Sequence, residues 1–305
     1  MLRFIESIVY YFAFFIVSTV YPSVKDSIVV KGKFVVNKSV TRIALCAYTK
    51  DKPIKEESVV EQKFEFVVPD TIETGVYYLK YVNGRETNID IIISGKEKII
   101  ELELVPGNYK NYPKVIESFE NRIWYNYLNG SKPQIDRLQS LFQHFSNFQE
   151  QIVNKQIVNV YQKERRNYYK NWERFISDNK NYLAGKLVMN EPYYFSDLSK
   201  DPIKRDFLRR DYFWEGIDTN NPDLINGPLY RRLISSYFEY VENNSIHHPY
   251  TYDEKIYEYK KSIVVVLNKF SKNFKTKEFA IKYLMQLDVI KTNTELVDYV
   301  TNYKE

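Results

Sequence analysis

The chain has 305 residues, 44% of them hydrophobic, enough to bury one large core or two smaller ones. Its 9 glycines and 11 prolines argue against a fibrous or low-complexity chain, and a net charge of +5, from 44 basic and 39 acidic residues, is too mild to imply a polyanionic partner such as nucleic acid. The single cysteine, Cys46, excludes an intramolecular disulfide, a C-x-x-C redox pair and a thiolate metal cluster.

Residues 1–23, MLRFIESIVYYFAFFIVSTVYPS, place one positive side chain, Arg3, ahead of an apolar run from Ile8 to Val20, closed by Ser18, Thr19, Pro22 and Ser23. That is the order of a secretory signal peptide. The run is shorter than the ~20 residues that cross a bilayer comfortably. An uncleaved N-terminal anchor is the alternative, because Glu6 is an early charge and no small-x-small cleavage triplet is clean. No cysteine follows the run, so the attachment site of a bacterial lipoprotein is missing. The expectation is an exported chain, periplasmic or secreted, whose folded part starts near residue 24.

Residues 24–106 read as a strand-rich domain. Ile28 to Phe34, Arg42 to Tyr48, Lys63 to Val68, Gly75 to Tyr81, Thr87 to Ile93 and Lys98 to Leu104 are short, rich in β-branched and aromatic residues, and several alternate apolar with polar. Asn83-Gly84 is a hairpin signal, since both residue types tolerate the positive φ of a two-residue turn, and Ser94-Gly95 marks the next turn. Short strands about ten residues apart predict an antiparallel β-sandwich or small barrel. Cys46 falls in the second strand, without a local cation or helix N-terminus to activate it, and reads as a small buried hydrophobe.

Residues 107–305 read as an α-helical domain, so the fold class is α+β. Helical spacing takes over at Ile116 after a linker marked by Gly107 and Pro113. Ser131-Lys-Pro-Gln134 reads as a helix start, with a Ser cap, an early Pro and a Gln reaching back. Leu138, Leu141, Phe145, Phe148 and Ile152 continue one apolar stripe, which extends with a break through Tyr161, Tyr168, Trp172 and Phe175. Further helices are predicted near Tyr182–Met189, Pro202–Glu215, Pro228–Glu242, Tyr252–Lys269, Lys277–Leu287 and Thr294–Asn302.

No constellation in the sequence carries chemistry. Lys163 to Arg174 interleaves cations with rings, a nucleic-acid pattern. On a helix, however, Tyr161, Tyr168, Trp172 and Phe175 form a buried seam, and Glu164 and Glu173 dilute the charge. His144, His247 and His248 are the only histidines, too few and too poorly spaced for a zinc site. No nucleophile elbow, P-loop or H-E-x-x-H is present. Asp211, Glu215 and Asp218 are carboxylates that nothing in the sequence pairs. No catalytic, cofactor-binding or metal-ligating residue is therefore assigned, and no cofactor is expected.

The order of features resembles a known group. Val30-Lys-Gly-Lys-Phe34, Phe64-Glu-Phe66 and Gly75-Val-Tyr-Tyr-Leu79 lie in the strand block, followed by Ile116-Glu-Ser-Phe-Glu-Asn121 and Tyr125-Asn-Tyr-Leu128. Later come Tyr212-Phe213, Ile217-Asp218 and Leu224-Ile-Asn-Gly-Pro-Leu-Tyr-Arg231. This resembles the N-terminal accessory region of the periplasmic thioredoxin-like thiol–disulfide oxidoreductases of Bacteroidetes. In that family a thioredoxin domain with a C-x-x-C pair follows; here the chain ends at Glu305, and no redox cysteine has a counterpart. The resemblance implies a non-catalytic module of the cell envelope that acts through protein–protein or ligand contact. The chain is expected to be a stand-alone accessory protein or a shortened oxidoreductase. A second expectation, of a different class, is a small-molecule or glycan binding protein with an aromatic-rich cleft between the β and α domains.

Overall fold

The computed structural model describes residues 27–35, 40–50, 52–106, 112–147, 151–190, 195–198, 200, 210–244 and 250–303. The signal-like segment, Phe148, most of the predicted Pro202–Glu215 helix, and His247 and His248 lie outside the described residues.

The class is mixed α+β: among the described residues two four-stranded sheets come first and the α-helices follow. The strands are β1 (Ser27–Phe34), β2 (Arg42–Ala47), β3 (Lys55–Ser58), β4 (Lys63–Pro69), β5 (Gly75–Asn83), β6 (Arg85–Ile93), β7 (Ile99–Leu104) and β8 (Lys114–Glu117). The outer sheet has the order β4-β1-β7-β8 and the inner sheet the order β3-β2-β5-β6. They close on one core built from both, with Val30, Phe66 and Leu102 from the outer sheet and Leu45, Leu79 and Ile91 from the inner one, none more than marginally exposed.

Three features differ from the sequence reading. First, the strands are not all antiparallel: β1 and β7 pair in parallel, Val29↔Ile99 through Phe34↔Leu104. Hairpin signals fix the direction of consecutive strands only, and β7 reaches β1 after the β5–β6 hairpin has crossed to the other sheet. The pairing is tight, since a Cβ on Gly32 would lie 2.4 Å from the Leu102 carbonyl oxygen. Second, β3, with the sequence KEES, has no apolar pattern and is a strand because it borders β2. Third, β8 extends the strand-bearing region past the expected boundary at residue 106 by pairing with β7. The Asn83-Gly84 turn forms where expected, with Asn83 opposite Arg85 and the positive φ confined to Gly84 (73°).

The helices are α1 (Phe119–Asn147), α2 (Gln151–Asn179), α3 (Leu183–Met189), α4 (Leu229–Asn244), α5 (Tyr252–Lys269), α6 (Phe274–Leu284), α7 (Asp288–Lys291) and α8 (Thr294–Thr301). A 3₁₀ turn, Pro222–Leu224, precedes α4. No helix starts at Ser131: α1 runs through it with Pro133 in its interior. An interior Pro costs about 3 kcal/mol, but the apolar stripe keeps its phase across it, with Ile123 and Trp124 before and Ile135 and Leu138 after, all buried. The long stripe is divided between α1 and α2, each about 43 Å long at 1.5 Å per residue, which pack on each other as Tyr127 Oη meets Tyr168 Oη at 3.1 Å. The expected seam of α2 faces inward, with Tyr161 and Tyr168 at 1% exposure. Among the described residues no helix is long and apolar enough to cross a membrane.

The helices pack on the far face of the inner sheet. Alternation sends Tyr77, Ile91 and Ile93 into the core between the sheets, whereas Val76 and Ile92 join the helical core with Trp124, Tyr230 and Ile234. Val76 and Ile92 are also partners across β5–β6, and the helical half meets the backbone of each from outside. Val76 N–H donates to the Asn226 main-chain oxygen (2.5 Å). Ile92 N–H donates to Asn121 Oδ1 (2.8 Å), and Asn121 Nδ2 donates to the Ile92 oxygen (2.9 Å). The Asn121 amide thus stands in for a further strand beside β6 and satisfies backbone groups that burial would otherwise leave orphaned.

Candidate functional site

The seam holds several polar side chains that no local sequence pattern announces. Glu97, in the β6–β7 turn, caps the start of α1: its Oε2 accepts from Ser118 Oγ (2.8 Å) and its Oε1 from the Phe119 N–H and, at 3.3 Å, the Glu120 N–H. Buried Glu120 caps α3 by accepting from the N–H groups of Leu183 (3.1 Å) and Ala184 (2.9 Å). On β6, Asp90 accepts from Tyr48 Oη at 2.5 Å, and Tyr125 Oη donates to the Asp90 carbonyl. Burial pushes the Asp90 carboxyl up, against the hydrogen bond from Tyr48 and the field of Arg232, and it pushes the Tyr48 and Tyr125 hydroxyls up as well. These groups fasten the halves together.

A cleft of about 600 Å³ does open between the halves, within the range of roughly 300–1,000 Å³ typical of ligand pockets. The turn before β5 supplies Glu73 and Thr74, the 3₁₀ turn supplies Asp223, the loop after it supplies Asn226, and α4 and α6 supply Arg231, Lys275, Glu278, Phe279, Lys282 and Tyr283. Phe279 and Tyr283 are one helical turn apart, so their rings fall on one face of α6 and stack at 5.9 Å with an interplanar angle of 3°. The Arg231 guanidinium carbon lies 5.0 Å from the Phe279 centroid and 5.8 Å from that of Tyr283. Arg231 Nη1 donates to the carbonyls of Gly227 (2.9 Å) and Ile225 (3.4 Å). Asn226, between those two residues, reaches across to the β half and donates through Nδ2 to Glu73 Oε2 (2.9 Å) and the Thr74 oxygen (3.3 Å).

The charges of the cleft are unevenly matched. Lys282 pairs with Glu278 at 2.7 Å, and Asp223 pairs with Lys186 at 3.7 Å. Arg231 has no carboxylate partner among the described residues, and burial lowers the pKa of its guanidinium, with the Tyr283 hydroxyl opposing. An arginine cannot shed its proton near neutral pH. It is therefore a half-buried fixed cation, flattened against two rings, with Nε and Nη2 not engaged by any described residue. A planar oxyanion is the group that its fork of donors fits.

The singled-out residues are scattered by the fold. Cys46 is buried in β2 opposite Tyr78, and burial pushes its thiol up, away from thiolate reactivity. His144, on α1, and Asp211, in the segment between α3 and α4, are both exposed. Asp218 serves its own loop, as Oδ1 accepts from the Asn220 N–H (3.0 Å) and its carbonyl accepts from Tyr230 Oη (2.8 Å). Among the described residues no group of three or more His, Cys, Asp and Glu could hold a metal ion. Arg231 belongs to the stretch Leu224–Arg231 noted above, but Phe279 and Tyr283 were not singled out. Their four-residue spacing was legible; that it would face an arginine 48 residues earlier was not. The cleft between the halves is also more polar than expected, and Glu215 belongs instead to a ring-lined groove within the helical half.

Compared with protein-family models, curated proteins and solved structures, the chain matches none of them.

Proposed function

We propose that this chain is a non-catalytic binding module that captures a carboxylate-bearing ligand, a small molecule or a peptide end, in the cleft between its β and α halves. The observation that carries the reading is Arg231: a half-buried cation, stacked on Phe279 and Tyr283, with no carboxylate partner among the described residues. Lys275 and Lys282 line the same cleft with Glu73, Asp223 and Glu278, so the cleft carries no excess of cations for a polyanion, and Arg231 is left for a single carboxylate. The proposed setting is the cell envelope, as an accessory to thiol–disulfide oxidoreductases; the signal-like order of residues 1–23 and the resemblance of the sequence support it.

The test is thermal unfolding of the full chain against a panel of monocarboxylates and short peptides with free or amidated C-termini. A ligand at a hundred times its Kd stabilises the folded state by about 2.7 kcal/mol. The expected result is a rise in Tm that amidation removes and that Arg231→Gln abolishes, with circular dichroism establishing that the variant is folded. Unshifted melting across every carboxylate defeats the reading. Insulin reduction by the purified chain without added thioredoxin contradicts its non-catalytic part.

A further inference from the structure

The groove within the helical half is a separate site, about 840 Å³ in volume. Gln139, Phe142 and Gln143 of α1 line one wall at positions i, i+3 and i+4, which lie on one helix face. Leu233, Ser236 and Tyr240 of α4 line the facing wall at steps of three and four. Tyr212, in the segment leading to α4, stands at its rim with 54% of its surface exposed, and Phe142 is 38% exposed. Large ring surface turned into a concave site is surface that an occupant would cover.

From this lining we infer that the groove binds a neutral saccharide. The rings offer flat apolar faces, while the glutamine amides and the serine and tyrosine hydroxyls both donate and accept hydrogen bonds. A sugar has the same division, with C–H faces and edges of hydroxyls that also donate and accept. An acyl chain or an apolar helix would bury those amides and hydroxyls without partners, which opposes binding. A charged polymer finds no field to match, because the lining carries one carboxylate, Glu215, and one guanidinium, Arg232. The inference is independent of the Arg231 cleft.

The experiment titrates the full chain with neutral tetrasaccharides of glucose, xylose, mannose and N-acetylglucosamine, followed by calorimetry and by intrinsic fluorescence. At least one is expected to bind, and Tyr212→Ala and Gln143→Ala are each expected to weaken it about tenfold, which is 1.4 kcal/mol. Both positions are exposed, so these variants are expected to keep the parent's Tm without ligand. Arg231→Gln leaves saccharide binding unchanged. Failure of every tetrasaccharide to bind overturns the inference, as does binding that ignores both groove substitutions or is lost with Arg231→Gln. Displacement of environment-sensitive dyes by fatty acids but by no sugar overturns it in favour of an apolar occupant.

Discussion

Each sheet turns one face away from the shared core, yet in the outer sheet that face is wet and in the inner sheet one end of it is covered. In the outer sheet β4 alternates without a fault between exposed and buried, and β1 and β7 keep the same rhythm. Its solvent face carries a charge ladder in which neighbouring partners pair, Lys31 with Glu101 at 3.2 Å and Lys33 with Glu103 at 2.8 Å. In the inner sheet the ends of β5 and β6 are buried on both faces: Ile91, Ile92 and Ile93 are all at 0–1% exposure. An apolar run in a strand-rich block therefore has a meaning of its own. Three successive isoleucines mean that a second layer covers the strand from the other side, and here that layer is the helical half.

The largest contrast between the sheets is expected at single positions on their far faces. Ile92→Lys puts a charge into the helical core and is expected to cost ~4 kcal/mol or more, enough to leave much of the chain unfolded. Val67→Lys on β4, where the native side chain is 47% exposed, is expected to stay within about 0.5 kcal/mol of the parent. Urea unfolding of both checks the pair, and equal losses would mean that the outer sheet is covered too.

A finer version removes only the hydrogen bonds. Asn121→Leu leaves the buried N–H and C=O of Ile92 unsatisfied and is expected to cost about 2–3 kcal/mol. Asn121→Asp keeps an acceptor for the Ile92 N–H but loses the donor to its carbonyl, so it is expected to be destabilising as well. If the unfolding midpoints of both match the parent, the amide bridge does not hold the halves together.

The smallest effect is a matter of pH. Burial raises the Asp90 carboxyl above its unfolded value, so its ionisation opposes folding. Its contribution is most favourable below the unfolded pKa and is lost as pH rises through the folded one. The groups around it are Tyr48 at the end of β2, Tyr125 on α1 and Arg232 on α4. Asp90→Asn is expected to match the parent in acid and to gain on it as the pH rises to neutrality, read as the difference in Tm between pH 4 and pH 7.5. A parent that gains on the variant as pH rises would show that Arg232 outweighs the desolvation.

Much of the architecture was written locally. Period-two alternation and turn residues placed six of the eight strands within two residues of their ends, because each such signal concerns neighbours in sequence. The helix expected over Tyr252–Lys269 forms as α5 with those bounds, and a reciprocal bond between Thr251 and Glu254 closes its start. The burial of Cys46 and of the α2 aromatic seam followed from the same local patterns. What the sequence did not disclose depends on contacts across long separations. β3 is a strand because β2 lies beside it, β1 runs parallel to β7 because a hairpin intervenes, and α1 continues through Pro133 because its stripe is packed on both sides. The Arg231 cleft needs Glu73, Arg231 and Tyr283 brought together from three elements. Local propensity sets which segments become helix or strand, but a site is a set of distances, and only the packing of the helical half on the inner sheet fixes those.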